Sequence, residues 1–254
     1  MVDRRSLLRG AALVTGGAVV GGGTRVAIAE SAVVPSYRDG RAVWPPPASP
    51  VVGATVHWRV DTDRRLVALT FDDGPDPRWT PQVLATLERF RAKATFFLVG
   101  ERLARHPELV RAELAAGHEL GNHTWTHADL SRATPAVVTD ELRRTHGLIT
   151  EVAGRAPTVL RPPYGHVDTV GLLAAATLGY SIALWSHHVR GSDVAQDQAA
   201  TLGTVVAGSV VLVHDGGPQP TSALMAALPD LVQGLLAKGY SFVTVSELLA
   251  AART

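Results

Sequence analysis

The sequence predicts an α/β fold, a distorted (β/α) barrel of about seven parallel strands. Three observations predict it. Seven apolar runs of strand length recur along the chain. Segments of helical period, punctuated by capping residues, lie between them. The polar clusters of the sequence fall where the strands end, which in a barrel is one mouth. Strand–helix alternation implies parallel strands joined by right-handed crossovers. An open doubly wound sheet is the competing topology. It calls for a glycine-rich phosphate loop after the first strand, and here that strand ends in Asp72-Asp73-Gly74-Pro75.

The elements follow in order. Residues 66–71 form the first strand, and Thr80-Pro81 opens a helix with Thr as N-cap and Pro at the first position. Residues 94–99 are a strand. Pro107 starts a helix that Gly117 stops, and residues 118–121 are a short strand. Thr134-Pro135 opens a long helix ending at Gly154; residues 158–160 are a strand; a helix runs from Asp168 to Gly179. Strands at 180–184 and 209–213 flank a helix near 196–202. A helix from Thr221 to Lys238 precedes Gly239, residues 242–245 are the last strand, and Ser246 caps a terminal helix.

Ahead of this pattern stand two other segments. Arg4-Arg5 with Leu7 and Leu8, a glycine- and valine-rich stretch over residues 10–23, and Ala27-Ile28-Ala29 make an export signal of twin-arginine type, cleaved after Ala29. Its apolar part is too short to span a ~30 Å hydrocarbon core, so no stable membrane insertion is expected after processing. Residues 30–63 carry Trp44-Pro45-Pro46-Pro47 and Pro50, a proline-rich extension read as a linker or strap. The catalytic domain is then residues 64–254.

Composition narrows the function. With 254 residues, 46% hydrophobic and 19% charged, the chain has enough apolar residues for a core and is not a disordered composition. A net charge of +1 argues against a nucleic-acid binder. The absence of cysteine removes disulfides, thiolate metal sites and cysteine nucleophiles.

Four clusters remain that carry chemistry. Thr70-Phe71-Asp72-Asp73-Gly74-Pro75 places two carboxylates after a strand, with side chains pointing apart. Taken alone it reads equally as a surface turn. His123-Thr124-Trp125-Thr126-His127 can present two imidazoles to one metal if the backbone turns between them. An Asp with two His suits zinc, cobalt, nickel or iron rather than calcium. Arg161-Pro162-Pro163-Tyr164-Gly165 offers a stiffened loop and a cation that is either a surface charge or a clamp for a carboxylate. Leu212-Val213-His214 ends a buried strand in a histidine. Together they hold the parts of a metal hydrolase: a metal triad, a spare Asp, a His and an Arg.

In this order the four motifs resemble those of the polysaccharide deacetylases, the NodB-homology family, over residues 66–250. The resemblance implies a distorted barrel that removes N-acetyl or O-acetyl groups from polysaccharides. It implies one divalent metal ion, zinc first and cobalt or nickel next, on Asp73, His123 and His127. It makes Asp72 the base, Arg161 its tether and His214 the general acid. It gives Tyr164 a backbone N–H for the oxyanion and makes Leu212 a wall of the acetyl pocket, with Pro163 and Trp185 as further substrate contacts. The expected substrate is an N-acetylglucosamine-type polysaccharide such as peptidoglycan or chitin. A xylan-type O-acetyl esterase and a weakly active carbohydrate-binding barrel are the other readings.

One motif departs from the family. After the fifth strand the family has an Asp and then Asp-Trp, whereas here Trp185 is followed by Ser186-His187-His188-Val189-Arg190-Gly191-Ser192-Asp193. His188 stands where the first Asp is expected. Asp193 is the candidate replacement as partner of Arg161. His187 and His188 are read as exposed, with sugar contact as the other possibility. Trp79, Trp125, Tyr164 and Trp185 are each candidates for stacking on sugar or for packing in the fold.

Overall fold

The computed structural model describes residues 36–38, 41–43 and 53–253. The export signal, its cleavage point and the proline cluster at 44–50 lie outside the described residues. Strands β1 (Ser36–Arg38) and β2 (Arg41–Val43) pair antiparallel with each other within the segment that precedes the barrel.

The rest is a nine-stranded sheet wound into a barrel. All seven expected strands are present: β4 (Leu66–Asp72), β5 (Thr95–Leu98), β6 (Glu119–Asn122), β7 (Val159–Leu160), β8 (Ser181–Ala183), β10 (Val210–His214) and β11 (Ser241–Val243). Two short strands join them, β3 (Val56–His57) and β9 (His187–His188). The order is β3-β8-β7-β6-β5-β4-β10-β9, with β11 beside β4, and every named pairing is parallel. Strands β3 and β9 end the ladder. An isolated antiparallel bridge between Arg59 and Ser209 spans the gap, with Val60 N–H donating to the Gly208 carbonyl at 2.9 Å. This seam is the distortion. The barrel also begins earlier than position 64, because Val56 and His57 pair with Ile182 and Ala183.

Burial explains the strand composition. All seven residues of β4 are buried, as expected for a parallel strand covered on both faces. Phe71 and Phe96 stack at 5.1 Å between ring centroids in the main core.

The helices are α1 (Thr80–Phe90), α2 (Gly100–Arg105), α3 (Pro107–Ala115), α4 (Pro135–Ala153), α5 (Thr169–Thr177), α6 (Val194–Thr204), α7 (Ser222–Ala237) and α8 (Val245–Ala250). Thr134, Asp168 and Thr221 cap α4, α5 and α7 through their side chains. Helices α1, α4 and α7 bury apolar faces in the core. Val83 and Leu87 of α1 are fully buried, a burial of about 1.5–3 kcal/mol each.

Two expected caps differ. Thr80 is the first helical residue; its hydroxyl donates to Asp215 Oδ2 at 2.5 Å and accepts from Asp76 N–H at 2.9 Å. Thr244, not Ser246, caps α8, in a capping box with Glu247. Ser246 instead donates from its backbone and hydroxyl to the Glu119 carboxylate. Among the described residues no helix is long and apolar enough to cross a membrane.

Candidate active site

The C-terminal ends of β4, β6, β7, β8 and β10 open into one cavity of about 420 Å³. Asp72, Asp73, His123, His127, Tyr164, Trp185, Leu212 and His214 all line it. That size lies within the range of small-molecule pockets. Pro163 is buried behind its loop and is not among the lining residues.

The loops are bent in an uncommon way. Among the described residues five non-glycine positions have positive φ, and four belong to the site loops: Asp73 (69°), Thr124 (65°), His127 (65°) and Tyr164 (61°). Such backbone costs about 1–3 kcal/mol per residue and persists where the surroundings enforce it. The enforcement is visible at the histidine loop. Glu141 of α4 accepts from the N–H groups of Trp125 and Thr126 at 2.7 and 2.8 Å and from the Thr126 hydroxyl at 2.8 Å. Asn122 accepts from Thr124 N–H at 2.8 Å and donates to the Leu142 carbonyl at 2.9 Å. These bonds turn the chain so that two histidines four apart face one point.

That point has the donor set of a metal site. One ligand atom each of Asp73, His123 and His127 lies within 4.8 Å of the others. Asp73 Oδ1 is 3.0 Å from His127 Nε2 and 3.3 Å from His123 Nε2. The buried Asp73 Oδ1 has no conventional hydrogen-bond partner, an omission that a cation would correct. Burial alone would raise the Asp73 carboxyl, but the two imidazoles hold it far below the usual carboxylate range. At His123 burial acts to lower the pKa, and Asp72 and Asp73 reverse the direction and raise it. Its Nδ1 lies 2.6 Å from the Arg161 carbonyl. A carbonyl only accepts, so Nδ1 carries a proton, and Nε2 is the nitrogen turned to the Asp73 side.

Asp72 is the second carboxylate, and Arg161 holds it. Arg161 is fully buried. Its Nη1 donates to Asp72 Oδ1 at 2.7 Å and to Thr70 Oγ1 at 2.8 Å, its Nε to the Ala183 carbonyl at 2.8 Å, and its Nη2 to the Leu184 carbonyl at 3.0 Å. The ring of Phe97 covers the guanidinium at 4.1 Å. Asp193 has no part in this arrangement. It is half-exposed at the start of α6 and lies 3.6 Å from Arg190, whose main partner is Asp197 at 2.8 Å. Backbone carbonyls and Thr70 take the place that a fifth-strand carboxylate was expected to fill.

His214 faces Asp72 from β10, in register with it across the ladder. Burial, with Asp72 and Asp73 opposing, holds its pKa below the ordinary value. His188 is not simply exposed: it is half-buried, lines the cavity, and its ring lies 5.2 Å from that of His214. Burial first, and His214 second, push His188 down to about 4. His187 points elsewhere, to Thr204 Oγ1 at 3.1 Å.

Of the four aromatic candidates, Tyr164 and Trp185 line the cavity. Tyr164 is 60% exposed, and its ring meets that of His127 in a T-shaped contact at 4.9 Å between centroids. Trp79 is buried under Arg78, and Trp125 packs beneath Arg144. Sequence reasoning missed Arg102, Val99 and Gln219, which also line the cavity, and the loop supports Asn122 and Glu141.

A converging Asp-His-His set, a carboxylate fixed by a buried arginine and a histidine opposite it define a metal-dependent hydrolase. The comparisons agree. The polysaccharide deacetylase family model matches residues 59–183. A peptidoglycan-N-acetylglucosamine deacetylase of Bacillus cereus is 38% identical over 199 residues, covering 76% of this chain and 92% of that one. PgdA of Listeria monocytogenes, also a peptidoglycan-N-acetylglucosamine deacetylase, is 36% identical over 193 residues, and the match spans 40% of its length. The crystal structure of the Bc1960 peptidoglycan N-acetylglucosamine deacetylase superposes with a TM-score of 0.73 at 31% identity, covering 79% of this chain and 96% of that one. The chain belongs to the polysaccharide deacetylase family.

Proposed function

We propose that this protein removes N-acetyl groups from an N-acetylglucosamine-type polysaccharide of the cell wall, outside the cell, after export by the twin-arginine route. The observation that carries the reading is Asp72, tethered by Arg161 at 2.7 Å, beside the Asp73, His123 and His127 set and facing His214 across one cavity. The relatives' substrates support peptidoglycan as the polymer.

Asp73, His123 and His127 would hold one divalent cation, zinc first by their chemistry and cobalt or nickel next. When bound, that cation supplies Lewis-acid polarisation of the acetyl carbonyl and acidifies a water at the site. Asp72 takes the proton of the attacking water. Arg161 keeps the carboxylate aimed. The Tyr164 backbone N–H donates to the developing oxyanion, a bond of about 3–4 kcal/mol in the transition state. Leu212 bounds the space for the acetyl methyl. His214 gives a proton to the departing nitrogen, without which an amine leaves poorly.

The test is acetate release from an N-acetylglucosamine oligomer by the processed protein, as purified, after chelation and after addition of zinc or cobalt. Loss on chelation and recovery with metal is the expected result. Absence of release in every metal state, with acetylxylan cleaved instead, would replace this reading with an O-acetyl esterase. Intact-mass analysis of exported protein checks the processing: residues 1–29 should be missing.

A further inference from the structure

Arg102 is a half-buried cation at the cavity wall with no anion of its own. Among the described residues its guanidinium makes no hydrogen bond or ion pair. Its neighbours in the chain are spoken for: Glu101 lies 3.4 Å from Arg105. So are the carboxylates of the cavity, since Asp72 belongs to Arg161 and Asp73 to the two histidines. Helix α2 is fixed to the histidine loop, with Gly100 N–H donating to the Thr124 carbonyl at 2.9 Å and Glu101 N–H to the Trp125 carbonyl at 3.0 Å. The backbone that carries Arg102 is therefore fixed relative to the loop of His123 and His127, and its side chain reaches the cavity wall from there. A guanidinium presents a planar fork that matches a carboxylate with two parallel bonds. The half-buried guanidinium lies at the mouth of an apolar-walled cavity, where an ion pair with a ligand is screened less than on the open surface.

We propose that Arg102 binds a carboxylate carried by the glycan beside the sugar whose acetyl group enters the cavity, and so sets a preference for acidic over neutral polysaccharide. The inference rests on the deacetylase reading for the placement of the sugar. The carboxylate has two possible sources, a lactyl ether on the sugar ring or the peptide joined to it. Their shared chemistry is what Arg102 recognises.

The experiment measures equilibrium binding by the processed protein to three fragments of the same acetylated glycan. One has a free lactyl carboxylate, one has the lactyl group joined to a short acidic peptide, and one has the lactyl group as its uncharged methyl ester. Wild-type protein should bind the free acid about 10-fold more tightly than the ester, with the gap narrowing at high salt. In Arg102→Gln the gap should close to within about two-fold, while Arg102→Lys, which keeps the charge but not the fork, retains part of it. A preference for the peptide fragment alone would assign the contact to the peptide. Equal affinity for acid and ester, binding of neither, or a preference that survives in Arg102→Gln would overturn the proposal. Acetate release from the ester is scored separately. Release without charge preference sinks this inference alone, and charge preference without release from any fragment sinks the deacetylase reading alone.

Discussion

Arg161 holds Asp72 with its guanidinium at 2.7 Å and His123 with its backbone carbonyl at 2.6 Å. One residue thus positions both Asp72 and His123. Its position is determined by β7, whose Leu160 is in register with Asn122 of β6, and by carbonyls of the β8 end. Asp72 and His123 are coupled through a single buried side chain and its own peptide.

Arg161→Lys should therefore do more than weaken the base. The lysine lacks the fork that reaches Thr70, Asp72 and two carbonyls together, and Asp72 is left buried and badly paired. Removal of one partner of a buried pair costs about 3–5 kcal/mol. A urea midpoint well below wild type and a loss of acetate release of at least about 100-fold are expected. Unchanged stability would show that Asp72 finds water or another donor.

Asp72→Asn separates the base from the metal site. Asp73, His123 and His127 stay in place, so metal content by elemental analysis should match wild type. Turnover should fall by at least about 100-fold, since an amide cannot take the proton. Asp73→Asn and His127→Ala should lose the metal as well. Loss of metal from Asp72→Asn would make that residue part of the metal site.

Much of this was legible in the sequence, for identifiable reasons. The seven strands are long apolar runs bounded by glycine, proline and capping residues, and all seven recur in the fold. The site motifs sit at their ends, so the topology gathers them. What was not legible depends on tertiary contacts. Strand β9 is two residues long and exists through its pairing with Val211 and Leu212. That pairing turns His188 into the cavity. Thr80 looked like a cap, but Asp215 took its hydroxyl. Arg161 was expected to need Asp193, but main-chain carbonyls satisfied it, and carbonyls leave no mark in a sequence. Helix α2 has Val99 at its N-cap with no side-chain cap, so Arg102 lay on a helix without a signal.

The pair His188 and His214 makes a prediction about pH. An acid must carry its proton, so the rate falls as pH rises through the pKa of His214. Burial holds that pKa below its ordinary value, and a neighbouring imidazole offers no compensating charge. His188→Asp places a carboxylate there, which favours the protonated form. The alkaline limb of kcat/KM should move upward by about one pH unit in that variant. His214→Ala should impair amide cleavage more than cleavage of an activated ester, whose leaving group needs no proton. Equal losses on both substrates would count against the acid role.

Glu113 makes a prediction about stability rather than rate. It is fully buried in α3, and neither carboxyl oxygen has a hydrogen-bond partner. Burial first, and the charge of Asp215 second, raise its pKa well above the usual range. The folded protein then keeps a proton that the unfolded chain releases near pH 4.5. Unfolding gains this release as pH rises, so Glu113 makes the fold progressively less stable above that pH. Glutamine has nearly the shape of the protonated acid and nothing to release. Glu113→Gln should match wild type at pH 4 and melt about 2–4 °C higher at pH 8, with both proteins in the same metal state. Thermal melts across pH 4–8 measure the divergence. Parallel curves would mean that Glu113 is ionised in the fold, held by water or an ion, and the substitution would then lower stability at every pH above 5.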